Sequence, residues 1–502
     1  MSDKLRLRFL LSVMMFCLYA VWGAWTPIMA VTIGDRLGAT GVQIGAAYGV
    51  LWLACIISPF IGGQLVDRLM PSQVYLGISA AVCAGAAWMM SQQQSYSGFM
   101  LWMWVWSLFF APTLGITNSI AMFHLGKESK KSDADDAERE RFKGISKSFN
   151  IGWAVVAIGS IAGLLATGNF SFEGIPTLVT LGILSILFIF FLMFQDMSRT
   201  ADVERSFSVV RTAGTIGWII SAIVLTIWLK SSPPVAKGTW APFEEMQVTA
   251  LFGVILTVIA FILPNTPPTK ETKDPWAFKK AFVLFKTVPG FSIFLLISLI
   301  VSTEFQFYYT FSGPFMEDAV AKGGLGIDHS MVSFYKSIAQ WAEILCLGVL
   351  TPISLKKLGL KKTLVIGTLA WPIRYFIYAI GQPTTLVLAS NVLHGVGFAF
   401  VFVTSYLFVD RIAPRDIRAS AQSLFMLVTL GIGNYLGTSF SGWLKDHYTT
   451  LLRDGTVDKT NWPMIFMIPA ALTTICAVAF WFTFKEPAAE EPGTEEHSTF
   501  AH

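Results

Sequence analysis

Arg211, Glu304, Gln306, Gln340, Glu343 and Arg374 all stand inside stretches that are otherwise apolar and of helical length. Hydrocarbon penalises such groups, so each must bind a ligand, pass an ion or satisfy a neighbour. Arg211 and Thr215 are four residues apart, and Gln340 and Glu343 three, so each pair shares one helix face and can project into one cavity. Gln306 can join them from a third segment. Two amides, a carboxylate, a guanidinium and a hydroxyl suit reversible binding of a small polar solute. Nothing in the chain arranges them for bond making. There is no nucleophile triad, phosphate-binding loop or metal cluster, and the five cysteines, Cys17, Cys55, Cys83, Cys346 and Cys476, fall inside apolar stretches without ligand spacing. No enzyme activity, cofactor, metal or disulfide is expected.

The elements that must position these residues are membrane spans. Hydrophobic residues make up 54% of the chain and charged ones 14%, with a mean hydropathy of +0.59, far from a soluble domain. Crossing roughly 30 Å of hydrocarbon takes about 20 helical residues. Stretches of that kind lie at 8–32, 44–66, 73–91, 97–124, 150–168, 176–196, 209–229, 246–263, 288–311, 331–352, 362–380, 384–409, 419–443 and 463–484. The first is too long for a signal peptide and lacks a small-x-small cleavage site, so it is read as a span. Lys and Arg crowd one set of connections, at 4–8, 127–147, 199–205, 270–286, 356–362 and 411–418, which places both termini in the cytoplasm. The net charge of +4 then reflects topology and attraction to the inner leaflet, with no nucleic-acid partner.

A polar, proline-rich stretch from Pro264 divides the chain. The expected organisation is an N-terminal bundle over 1–264, a cytoplasmic linker over 265–287 carrying a surface helix, a C-terminal bundle over 288–485 and an acidic disordered tail over 486–502. Residues 126–149 mix opposite charges and read as a solvated loop. They lead into an inserted hairpin at about 150–197, whose Gly152, Gly159, Gly163 and Gly168 suggest tight packing on another helix.

Gly63-Gln64-Leu65-Val66-Asp67-Arg68, at the end of the second span, resembles the G-x-x-x-D-R loop signature of the major facilitator superfamily. A more specific likeness runs along the chain. Pro112-Thr113-Leu114-Gly115, Arg211-Thr212-Ala213-Gly214-Thr215-Ile216-Gly217-Trp218, Gln340-Trp341-Ala342-Glu343, Ala370-Trp371-Pro372-Ile373-Arg374, the segment around Arg418 and the run Gly431 to Trp443 occur in one order. By these motifs the chain resembles the bacterial nucleoside:proton symporters of that superfamily. The resemblance implies an all-α polytopic protein with the two-bundle major facilitator fold, twelve core transmembrane helices plus the inserted two-helix hairpin. It also implies import of nucleosides with protons across the bacterial cytoplasmic (inner) membrane, by alternating access, in a monomer embedded in the lipid bilayer.

By the same resemblance Arg211, Thr215, Gln306, Gln340 and Glu343 occupy positions that contact the nucleoside, with Trp218 where the family has Phe. Ribose hydroxyls suit the carboxylate and amides, and a base suits an aromatic face with a polar edge. Tyr309, His394 and Phe398 complete the expected site. Gly63, Asp67, Arg68, Arg374 and Arg418 are expected to serve structure or conformational change. Glu304 is expected to line the vestibule or to pair with Lys336. This chain departs from the family at Tyr309, where Asn is usual, at His394, where Tyr is usual, and at Ala399 and Phe402, where an acid and Asn are usual. The proton is therefore expected on Glu343, with His394 as a shuttle. Because the base side is altered, a sugar or glycoside facilitator or symporter is the alternative, followed by a non-transporting solute sensor.

Overall fold

The computed structural model describes residues 3–58, 70–131, 136–167, 171, 173–199, 202–232, 240–268, 277–414, 417–453, 455 and 457–484. In chain order its helices are α1 (Asp3–Trp25), α2 (Met29–Leu37), α3 (Gly41–Ser58), α4 (Ser72–Ser91), α5 (Tyr96–Lys131), α6 (Asp136–Ala166), α7 (Ile175–Met197), α8 (Val203–Ser231) and α9 (Glu244–Ile262). A 3-10 segment, Ala277–Val283, leads into α10 (Leu284–Thr287). There follow α11 (Phe291–Glu317), α12 (His329–Leu345), α13 (Thr351–Ile380), α14 (Thr384–Ala389), α15 (Val392–Phe398), α16 (Thr404–Ile412), α17 (Arg418–Met426), α18 (Asn434–His447) and α19 (Trp462–Thr483). Strands β1 (Thr449–Leu451) and β2 (Val457–Thr460) form a small antiparallel ribbon between the last two helices.

Among the described residues thirteen helices are long and apolar enough to cross a bilayer. One of them, His329–Ile380, has 52 residues. A straight helix of that length would reach about 78 Å. The chain instead reverses at Gly359, whose φ of 77° is open to glycine without a steric penalty, so this helix makes two crossings and the total is fourteen. The positions follow the hydropathy reading closely. The charged stretch 126–149 does not: α5 continues to Lys131 and α6 starts at Asp136, so the helices project beyond the apolar zone. Ala, Glu, Lys and Arg are strong helix formers, and their propensity outweighs the polarity that suggested a loop.

In the first half, α1 packs on α8 and α9, α4 on α5 and α9, and α3 on α5; in the second, α13 packs on α15 and α19, and α11 on α18 and α19. The halves meet chiefly along two seams, α3 against α18 and α8 against α12, with a smaller contact of α2 on α11. At the first seam Asp446 accepts from the backbone N–H groups of Gly41 (2.5 Å) and Val42 (2.8 Å), capping α3 with a carboxylate from the opposite half. A helix N-terminus favours that negative charge. Next to it Gly45 brings α3 against the Thr438 carbonyl, an approach that a Cβ would block. The 3-10 segment of the linker packs on α17.

The inserted pair has an outward and an inward member. None of the apolar window of α6 is buried, and built Cβ atoms at Gly152, Gly159 and Gly163 would meet nothing within 4 Å, so those glycines do not serve tight packing. Gly168 lies outside the described residues. The inner helix, α7, packs on α8, and its Leu178 closes a buried cluster with Ile219 and Ile223 of α8 and Met331 and Phe334 of α12. Tyr335 also donates to Glu173 at 3.0 Å. At the other end of α7 the buried Asp196 accepts from Arg8, from Arg205 Nε (2.8 Å) and from Ser206 (2.8 Å). Arg8 also bonds Glu128, so the hairpin is tied to α1, α5 and α8.

Candidate functional site

On α8 the site begins with the glycines of its motif. A Cβ at Gly217 would strike the Phe16 carbonyl, and one at Gly214 would come within 3.1 Å of Tyr19 Cγ, so only glycine lets α1 lie this close. The approach puts the Tyr19 ring beneath Arg211, whose Cζ sits 3.9 Å from the ring centroid. Arg211 is half-buried and forms no ion pair within 4 Å of any described residue. Thr215 and Trp218 follow on α8, both buried. Trp218 stands edge-on to Trp22 at 5.4 Å.

Across the seam, Gln340 and Glu343 are buried on α12. Gly395 of α15 seats against the backbone there, since a Cβ would fall 2.6 Å from the Glu343 nitrogen. No hydrogen bond or ion pair joins the Glu343 carboxylate to a described residue, and Gln340 Oε1 has no partner among them. Aromatic rings close the gap beside this pair. Tyr309 of α11 meets Trp218 at 6.1 Å and 66°, one ring from each half of the chain. Phe305 lies 4.9 Å from Tyr309, and Phe398 lies parallel to His394 at 6.3 Å and 8°.

His394 is held from both sides. Its Nδ1 lies 3.2 Å from Arg374 Nη1, and its Nε2 lies 3.3 Å from the Tyr309 hydroxyl. A guanidinium only donates, so Nδ1 accepts and the ring proton sits on Nε2, donated to Tyr309. A second proton on Nδ1 would replace the hydrogen bond with a contact between two cations. Arg374 is wholly buried over Tyr308 (4.1 Å) and Trp371 (4.6 Å). Lys336 donates to the Tyr309 carbonyl at 3.0 Å and fixes the same turn.

Other expected members lie apart. The Cβ of Gln306 packs where α18 presses on α11 at Gly437, and its buried amide has no hydrogen-bond partner among the described residues. Glu304 neither lines a vestibule nor pairs with Lys336: it is buried and accepts from the Thr473 hydroxyl. Arg418 pairs with Asp410 at 3.4 Å where both side chains are over 40% exposed, a contact worth little. Gly63, Asp67 and Arg68 lie outside the described residues.

Tyr19, Trp22, Phe305 and Asp446 had not been singled out as site or gate residues. Gly214 is the available signal for Tyr19, because a glycine three residues after Arg211 leaves room for a ring beside it. The π turns also carried no sequence signal. They occupy Cys346–Leu350, Ala399–Val403 and Leu427–Gly433, the first two directly beyond Glu343 and Phe398. Such turns recur at functional sites because they re-aim a helix face. Ala399 opens one of them, wholly buried.

A sequence model described as nucleoside H+ symporter matches residues 5–200 and 192–489. The xanthosine permease of Escherichia coli (strain K12) is 25% identical over 100% of both chains. Nucleoside permease NupG of the same organism is 25% identical over 99% of each. The crystal structure of nucleoside transporter NupG superposes with a TM-score of 0.69 at 23% identity, covering 96% of this chain and 100% of that one. That of a D-xylose-proton symporter gives 0.58 at 13% identity, covering 95% and 98%. These two structural likenesses speak to the fold alone, which is that of the major facilitator transporters.

Proposed function

Since this chain belongs to the nucleoside H+ symporter family, we propose that it binds a nucleoside at the seam between α8 and α12 and carries it inward with a proton. It is a multi-pass membrane carrier and not an enzyme. The observation that supports the site is the set of unpaired polar groups on the two sides of that seam. Arg211 comes from one half, Gln340 and Glu343 from the other; Gln340 Oε1 is buried without a hydrogen-bond partner, and no ion pair holds Arg211 or Glu343 among the described residues. A buried polar group left without a partner costs about 1–3 kcal/mol, which a ligand can recover. We assign the ribose hydroxyls to Glu343 and Gln340, with Arg211 and Thr215 completing the polar side. The base packs on Trp218, Tyr309 and Phe398. Gln306 is assigned to the wall formed with α18.

Glu343 is the group we assign to the proton, with His394 holding Tyr309 in place. The Lys and Arg bias supports cytoplasmic termini and a cytoplasmic-membrane location. On that orientation the face latched by Asp446 and Leu178 is external, and alternating access requires both contacts to part. One chain contains the whole site, which supports a monomer as the transporting unit.

Binding of radiolabelled uridine and adenosine to purified protein, with unlabelled nucleosides and xylose as competitors, tests this reading. Nucleosides should compete and xylose should not. Saturable binding of xylose without binding of any nucleoside would overturn it.

A further inference from the structure

Arg211 differs from Arg8, Arg36 and Arg374 in what holds it. Arg8 has two carboxylates, Arg36 has Glu244 at 2.6 Å, and Arg374 has His394 and four aromatic rings. Arg211 has the face of Tyr19. A guanidinium stacked on a ring is oriented by the ring's negative face while its N–H groups, which lie in its own plane, stay available. A carboxylate would have consumed them. The ring itself is fixed from behind by the bare Cα of Gly214, one turn along α8, and beside it by Trp22 at 6.1 Å, which in turn packs on Trp218.

We propose that Tyr19 is a positioning residue of the transport site: its π face presets the Arg211 guanidinium for the ligand, and Gly214 is the glycine that admits the ring. The assignment rests on the nucleoside site described above for its consequence on affinity, and on geometry alone for the orientation of Arg211. It also explains why arginine and glycine stand three apart in the motif.

Two substitutions separate the ring from its bulk and its hydroxyl. Tyr19→Phe keeps the face and should leave nucleoside KM near the wild-type value. Tyr19→Leu keeps apolar volume but removes the quadrupole and should raise KM about tenfold, with the maximal rate of nucleoside exchange within about twofold of wild type. A second readout needs no nucleoside. Phenylglyoxal labelling of Arg211, followed by peptide mass spectrometry on folded, monodisperse protein, should be faster in Tyr19→Leu and unchanged in Tyr19→Phe. Equal labelling in all three proteins would overturn the proposal, as would a Phe variant as impaired as the Leu variant, which would assign the effect to the hydroxyl. If labelling changes as expected while Arg211→Ala still binds nucleosides normally, the positioning stands and the assignment of the binding site fails.

Discussion

Arg211 of α8 and Glu343 of α12, a basic and an acidic side chain, stand on the two sides of the seam between the halves, yet no ion pair joins them among the described residues. Two such groups at contact would satisfy each other and leave nothing for a ligand. Held apart, both must be answered by what enters between them. Arg211→Ala, Gln340→Ala and Glu343→Gln should therefore each lower nucleoside affinity about tenfold, since a buried hydrogen bond to a charged group contributes about 1.5–3 kcal/mol. Equilibrium binding to detergent-purified variants checks this. Unchanged affinity in all three would move the site elsewhere.

Arg374 should behave differently. It is enclosed by Tyr308, Trp371 and His394, so its removal leaves a cavity and an unpartnered His394 Nδ1 without touching the ligand. Arg374→Ala should lose about 2 kcal/mol or more of stability, seen as a lower Tm and poorer expression, while the folded fraction retains affinity within a few-fold.

The hairpin has a comparable anchor in Asp196, which joins Arg8 of α1 and Arg205 of α8. Breaking a buried pair by removing one partner costs about 3–5 kcal/mol, because the other charge remains buried. Asp196→Ala should accordingly lower Tm more than Glu140→Ala, whose ion pair with Lys143 is exposed. Equal effects would mean that α7 is held by its apolar contacts alone.

Asp446 makes a prediction about conformation. Its carboxylate caps α3 from the opposite half, so the α3–α18 seam cannot open without losing two charge-assisted hydrogen bonds. Thr438 is wholly buried in this seam. In a cysteine-free background, Thr438→Cys should react slowly with a membrane-impermeant maleimide and about tenfold faster when Asp446→Ala is added. An unchanged rate would remove Asp446 from the gate.

The number of spans and most of their limits were legible in the sequence, because a bilayer demands helices of one length and hydropathy reports that demand directly. The spacing of Arg211 with Thr215 and of Gln340 with Glu343 reads as two helix-face pairs, and the two helices that carry them, α8 and α12, pack on each other. Glu304 was not legible, because a lone buried carboxylate reads the same whether it meets a lysine, a cavity or the Thr473 hydroxyl. Neither was Tyr19, an aromatic among many in α1 whose importance depends on a glycine 195 residues further along the chain. The charged end of α6 is not legible as helix, because polarity argues for solvent exposure but not against helix.

Proton coupling to the nucleoside is assigned to Glu343, and Ala399, at the family's acidic position, offers no alternative carboxylate there. A ligand shifts a protonation equilibrium only through different affinity for the two forms, which requires the titrating group to lie where the ligand binds. The direct measurement is uridine transport in proteoliposomes, with and without an inward proton gradient, comparing wild type with Glu343→Gln at saturating uridine. Wild type should concentrate uridine only when the gradient is present, and Glu343→Gln should exchange uridine across the membrane without concentrating it. Gradient-independent uptake by wild type, or continued accumulation by Glu343→Gln, would contradict the account.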